Sequence, residues 1–184
     1  MLRSLIDRAL SAAERSLRVP GAMDYLRRVA RSSQSALLKF GLFMPMANHR
    51  RVLPPAPYYV ARIVASRHAD CGTCVQIEVN QARDHGVGSD VLRAALDDAP
   101  ETLPPGVAEV YHFARAVVEQ DPNRDQLREK VRTRYGEDGL IELALAIPSA
   151  RVFPTTKRVL GHDTSCRRVE VRIGEGRSES SAHA

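Results

Sequence analysis

Leu2, Leu5, Ile6, Leu10, Ala13 and Leu17 recur three and four positions apart, the period of one apolar helix face, and Pro20–Gly21 close the segment. The same period predicts a helix over 2–18 and a second over 22–32. A more apolar third carries Leu37, Leu38, Phe40, Leu42 and Phe43 toward Met46, and Pro45 should end or kink it. Pro54, Pro55 and Pro57 predict the main loop at 52–57, because proline favours extended backbone at the residue before it. Helical spacing resumes from Tyr58 to His68. Asp70 is placed to cap a following helix that runs through Cys71 or Gly72 to about His85 and stops at Gly86.

Ser89 reads as the cap of a helix over 91–96, and Pro100, Pro104, Pro105 and Gly106 mark a second loop. Val107, Val110, Tyr111, Ala114, Val117 and Val118 again keep helical spacing. Asp121–Pro122 predicts a helix start, with an end near Gly136. Leu140–Ile147 reads as a buried helix stopped by Pro148, followed by a last helix over 149–160. Val169, Val171 and Ile173 alternate with charged residues, the one strand-like signal; it reads as an extended arm or ordered coil. The Ser/Glu/Gly-rich stretch after Gly174 has the composition of a disordered tail. The expected class is all-α, with an N-terminal helical extension over 1–50 packing on a compact helical domain over 51–174, and a tail over 175–184.

Composition adds little to this picture except in its distribution of charge. A hydrophobic share of 43% and a charged share of 27% belong to an ordinary globular chain. The net charge of +5 arises in the N-terminal third, where residues 1–51 hold ten Lys/Arg against three Asp/Glu. Arg3, Arg8, Arg15, Arg27, Arg28 and Arg31 are spaced along helices among apolar residues, the pattern of a solvated helix face. No nucleic-acid or membrane partner is therefore expected. Asp7 and Glu14 interrupt the apolar N-terminus, so it does not read as a secretory signal, and no window approaches the ~20 apolar residues of a membrane span. A cytoplasmic location is expected.

Candidate chemistry centres on Cys71-Gly72-Thr73-Cys74. Two thiols one turn apart at a helix start meet free N–H groups and the positive end of the macrodipole, both of which favour thiolate. The spacing also permits a disulfide. Two other readings stand beside this one: half of a zinc site, for which the chain lacks a second Cys-x-x-Cys or a His-x-x-x-His, and a pair of inert buried cysteines. An odd total of three cysteines suits a reducing compartment better than a secreted disulfide framework. Cys166 stands far along the chain and reads as a structural free thiol or an extra resolving thiol, with His162 four residues before it.

Residues 60–87, VARIVASRHADCGTCVQIEVNQARDHGV, resemble the redox core of the alkylhydroperoxidase D / carboxymuconolactone decarboxylase-like family. The segment shares a helix that feeds Cys-x-x-Cys at the start of a second helix ending at His-Gly-Val. Leu92-Arg93-Ala94-Ala95-Leu96, the helix over 111–118 and Leu140–Ile147 extend the resemblance to about residues 57–160. It implies a homo-oligomeric thiol peroxidase or disulfide oxidoreductase working without metal or flavin. Cys74 would attack a hydroperoxide or other small electrophile, Cys71 would resolve the product, and a dithiol reductant would reopen the disulfide. The family's peroxidases also carry a glutamate twelve residues before the first cysteine and a histidine four after the second. Those positions here hold Tyr59 and Glu78.

Glu78 lies one turn beyond Cys74 on the same helix face, so it is the candidate proton acceptor, although a bare carboxylate there would raise the thiol pKa. Such a role needs a second group or a water to position it; the alternative is a solvated or ion-paired glutamate. His68, Tyr59, His85, Glu109 and His112 are further relay candidates that the sequence does not place. Two other functions stay open: a lyase of the carboxymuconolactone decarboxylase type, needing a base and a carboxylate-binding arginine, and a non-enzymatic assembly protein with a redox-sensitive helical interface.

Overall fold

A computed structural model describes residues 2–162 and Val169. Apart from Val169, the expected strand at 169–173, the tail and Cys166 lie outside these residues. Among the described residues the secondary structure is entirely helical: α1 (Leu2–Leu17), α2 (Asp24–Ser32), α3 (Gln34–Gly41), α4 (Met44–Ala47), α5 (Pro55–His68), α6 (Gly72–Asp84), α7 (Ser89–Leu96), a 3₁₀ turn (Pro100–Thr102), α8 (Pro105–Glu119) and α9 (Arg124–Val159). No described helix is long and apolar enough to cross a membrane.

The fold is organised around α5, where every residue from Pro57 to Ser66 is buried. A helix apolar around its circumference must be enclosed, and α6, α7, α8 and α9 all pack against it. Tyr58, Val60, Ile63 and Val64 join Val79, Leu92, Val110, Tyr111, Leu143 and Ile147 in one core. Leu10, Val19, Ala22 and Met23 form a second, smaller cluster backed by Ile77 of α6. The N-terminal helices thus rest on the main body through a separate apolar layer. Polar contacts at the end of α1 fix their position: Asn80 donates to the Leu17 carbonyl at 2.8 Å, and Arg18 pairs with Asp84 at 2.8 Å.

The basic N-terminal residues are partly used in this docking rather than wholly solvated. Arg27 pairs with Glu14 at 2.5 Å and with Asp24 at 2.8 Å, while Arg28 donates to the Leu160 carbonyl at the end of α9. Arg3, Arg8, Arg15 and Arg31 remain exposed.

Several expected boundaries are corrected, each time because proline or a cap acts differently in context. Pro55 and Pro57 lie in the first turn of α5 rather than in a loop, since N–H groups there have no intrahelical partner to lose. Pro45 likewise opens the short α4 instead of ending α3, which stops at Gly41. Gly88, not Ser89, precedes α7 as its cap. Asp121 accepts a bond from the Asn123 N–H at 2.7 Å, and α9 begins only at Arg124. Pro148 does not stop the chain: α9 continues through Pro148 and Pro154, held to the core by buried Leu143, Ala146, Ile147, Ala150 and Pro154.

The expected stop at Gly136 is present as a sharp kink inside α9, with φ 72° and ψ −179°, a backbone conformation essentially restricted to glycine. No atom would obstruct a Cβ at that position, so the restriction is purely torsional. Glu142, a little further along α9, fixes the loop before α5. Its carboxylate accepts the N–H groups of Arg51, Val52 and Leu53 at 2.6, 2.7 and 2.9 Å, and the residue is only 2% exposed. Burial opposes its ionisation, but the three amides outweigh it and hold the carboxyl below its ordinary range.

Two stability changes are expected, both measurable by urea unfolding. Gly136→Ala should cost about 1–3 kcal/mol from backbone strain alone. Glu142→Gln should cost about 2 kcal/mol, since bonds from a charged acceptor give way to weaker ones and an amide N–H₂ faces donors. Because the folded pKa of Glu142 is depressed, its contribution is complete above the ordinary carboxylate pKa and declines as pH falls through the folded value. Between pH ~5 and ~3 the native protein should therefore lose more stability than Glu142→Gln does.

Candidate active site

The turn between α5 and α6 is three residues long, and its conformation sets the position of both thiols. Ala69 ends α5, and Asp70 takes φ 50°, a left-handed conformation that aspartate tolerates better than most residues. Arg158 donates to the Ala69 carbonyl at 2.6 Å, tying this turn to the end of α9. Asp70 is therefore the turn residue and not the cap expected for it. The N-cap is Cys71, whose sulfur accepts from the Cys74 N–H at 3.3 Å.

Cys74 falls in the first turn of α6, and the two sulfurs lie at disulfide distance with their Cα atoms 5.2 Å apart. Both residues are buried, at 3% and 5% exposure. The thiolate-favouring field expected at a helix N-terminus acts on both, since one caps the helix and the other belongs to its first turn.

The pair separates two unlike spaces. Cys71 borders an open cleft of about 410 Å³ of mixed character, with Arg67, Asp70, Arg93 and Asp97 on its walls beside Val75 and Leu96. Cys74 lines a chamber of about 550 Å³ that is mostly apolar, walled by Leu10, Leu17, Leu26, Phe40, Ile77 and Phe153 among others. The N-terminal helices form one side of that chamber, and α6 and α9 the other.

Glu78 lines the same chamber as Cys74. It is ion-paired rather than solvated. Arg62 of α5 meets both of its oxygens, Nε to Oε2 at 2.7 Å and a terminal nitrogen to Oε1 at 2.8 Å. The other terminal nitrogen of Arg62 donates to the Ala47 carbonyl at 2.7 Å, and the Tyr58 hydroxyl donates to that same carbonyl at 3.1 Å. Burial works against the charge of Arg62, but the adjoining carboxylate outweighs it and raises the guanidinium pKa further above its already high value. The compensated pair puts much less negative field on Cys74 than a lone glutamate would.

The remaining candidates are placed elsewhere. The Tyr59 hydroxyl lies 3.0 Å from His85 Nδ1, and burial pushes its pKa up to about 12, so it is a neutral hydroxyl at physiological pH. Neither residue lines either space beside the cysteines. Glu109 pairs with Arg134 at 2.6 Å, His112 packs edge-on against Tyr111, and His68 is exposed at the end of α5. None of these borders the cysteine spaces. Among the described residues no three His, Cys, Asp or Glu side chains are grouped to hold a metal ion.

Two side chains at the site were not picked out by sequence reasoning. Arg62 had a legible signal: it interrupts the apolar run Val60–Ala65, and a buried guanidinium requires a carboxylate partner. Lys157, 3% exposed with its ammonium 5.4 Å from the Tyr25 ring centre, had none, because its contacts depend on where α2 docks.

Removing one member of a buried ion pair strands the other, so Glu78→Ala should destabilise the protein by about 3–5 kcal/mol in urea unfolding at constant redox state. The double replacement Arg62→Met/Glu78→Leu should cost clearly less than that single change, because it leaves no uncompensated charge. An equal or larger loss in the double variant would mean that the pair's packing, not its charge balance, is what matters.

No protein-family model, curated protein or solved structure matches this chain.

Proposed function

We propose that the protein is a thiol-dependent peroxidase or disulfide oxidoreductase of the alkylhydroperoxidase D-like helical type, cycling through a Cys71–Cys74 disulfide. The observation that carries this reading is the cysteine pair at the start of α6, at disulfide distance, with Cys74 lining a chamber large enough for a small organic molecule.

In the forward half-reaction the Cys74 thiolate attacks the outer oxygen of a hydroperoxide. The O–O bond breaks, the alkoxide leaves and takes up a proton as the alcohol, and Cys74 becomes a sulfenic acid. The Cys71 thiol then attacks that sulfur, releasing water and closing the disulfide. A dithiol reductant reopens it in two exchange steps, becoming a disulfide itself. The two-sided surroundings suit this division: an oxidant reaches Cys74 from the chamber, and a reductant reaches Cys71 from the open cleft with Arg67 and Arg93.

Glu78 takes the position of the family's relay histidine, and Arg62 is the group that positions it. The same arrangement disfavours a lyase. Arg62, the arginine lining the chamber, already gives its donors to Glu78 and Ala47 rather than offering them to a substrate carboxylate.

The test is peroxide consumption with a dithiol donor such as reduced lipoamide, accompanied by titration of free thiols. Native protein should turn over and lose two thiols on oxidation. Cys74→Ser should lose turnover to below about 1% of native, since the attacking atom is gone. Cys71→Ser should consume about one equivalent and then stall without a resolving thiol. Absence of consumption by native protein, with Cys71 and Cys74 still free after oxidant, would refute the reading.

A further inference from the structure

Five of the eight large apolar side chains exposed among the described residues fall between Leu38 and Val52. Helix α3 contains no fully buried residue and is anchored by aromatic rings. Phe40 and Phe43 pack on Phe153 of α9 with centroids 5.9 and 5.7 Å apart, and Phe40 meets Tyr25 of α2 edge-on at 6.4 Å. Leu38 and Leu42 stand two positions either side of Phe40, which puts them together, one turn apart, on the side of α3 away from that anchor. They are 65% and 78% exposed, and Met44 and Met46 of α4 follow at 40% and 43%. Contiguous exposed apolar side chains of this size mark a contact surface.

The charge around this cluster is of one sign. From Tyr25 to Ala69 the chain has eight Lys/Arg and no Asp or Glu, and the stretch of α9 that carries Phe153 has no carboxylate from Leu143 onward. Arg27, Arg62 and Arg67 are balanced by acids from elsewhere. Arg31, Lys39 and Arg51 are exposed, and none has a carboxylate partner among the described residues. Arg31 lies in the last turn of α2 just before α3, Lys39 lies within α3, and Arg51 follows α4.

We propose that α3 and α4 dock this protein on an anionic lipid bilayer. Leu38, Leu42, Met44 and Met46 enter the acyl boundary while Arg31, Lys39 and Arg51 meet the headgroups. An apolar cluster within a basic surround is what binds such a surface. The same charges disfavour a second copy of the chain, because a two-fold contact through this cluster brings cation against cation with no carboxylate to answer it. The attachment is peripheral, since no described helix can cross a membrane. The sequence pattern led to the opposite expectation because the exposure of Leu38 and Leu42 is set by where Phe40 and Phe43 pack, which no spacing shows. Leu38 and Met44 also line the chamber beside Cys74, so the docked face includes an edge of that chamber. Docking itself is independent of the thiol reading.

The full-length reduced protein is mixed with vesicles, and the bound fraction is measured by flotation. Saturable binding to phosphatidylcholine–phosphatidylserine vesicles is expected, weakened by added salt and at least about tenfold weaker with phosphatidylcholine alone. Leu38→Gln/Leu42→Gln should weaken it at least about tenfold, and Lys39→Gln/Arg51→Gln about tenfold, each with the far-ultraviolet circular dichroism unchanged. The chain has no tryptophan, so Leu42→Trp reports on this face alone. Its emission should shift to the blue on binding and be quenched by lipids brominated in the acyl chain. No binding by the native protein would overturn the proposal. Binding that survives Leu38→Gln/Leu42→Gln, with the Leu42→Trp emission unchanged, would also overturn it and move the contact to the arginines of α1. Concentration-dependent dimers in sedimentation velocity, lost in Leu38→Gln/Leu42→Gln and accompanied by no vesicle binding, would assign the face to a second copy of the chain instead.

Discussion

A guanidinium and a carboxylate enclosed together in an apolar interior must satisfy each other or disrupt the helices that carry them, and Arg62 and Glu78 meet this constraint across the α5–α6 contact. Arg62 places the face of α6 against α5 and reaches on to the Ala47 carbonyl, so it also anchors the end of α4. Cys74 lies one turn before Glu78 on that face. The position of the cysteine pair therefore follows from an ion pair that must close for the core to pack. The ion pair also lets a glutamate lie beside a cysteine without the full penalty on thiolate that an isolated carboxylate would impose.

The second organising feature is the division of the apolar residues into two layers. Helices α5 to α9 enclose a continuous core, while α1, the turn after it and α2 hold their own small cluster, and the N-terminal helices touch the main body at α6 and α9. Polar ties at Leu17, Arg18 and Arg28 hold the layer in register while leaving space between the two clusters. That space gives Cys74 mostly apolar surroundings, whereas Cys71, one turn away, borders a cleft where charged and apolar side chains share the walls. In the proposed cycle, oxidant and reductant would meet the two ends of one disulfide.

Much of the helical order was legible because amphipathic spacing survives in any context: α1, α2, α5, α6 and α8 lie close to where the apolar period puts them. The cysteine pair at a helix start was legible for the same local reason. The misreadings arose where a local rule depends on position within the element. Pro55 and Pro57 signal a loop in isolation, but they fit the first turn of a helix whose N–H groups were already without partners. Pro148 and Pro154 should break a helix, yet α9 is pressed against the core along its length. Asp70 looks like a cap, but the left-handed turn it adopts hands that role to Cys71. Which carboxylate answers Arg62, and which groups answer Glu142, was not legible. Each is satisfied by residues 16 or about 90 positions away, and no periodicity carries that information.

The central claim is that Cys74 is the thiol that meets an oxidant. Its most direct test is to reduce Cys71→Ser, add one equivalent of cumene hydroperoxide in the presence of dimedone, which captures sulfenic acids, and locate the adduct by tandem mass spectrometry. The account predicts a dimedone adduct on Cys74. An unlabelled Cys74, with the hydroperoxide unconsumed or the label confined to Cys166, would contradict it.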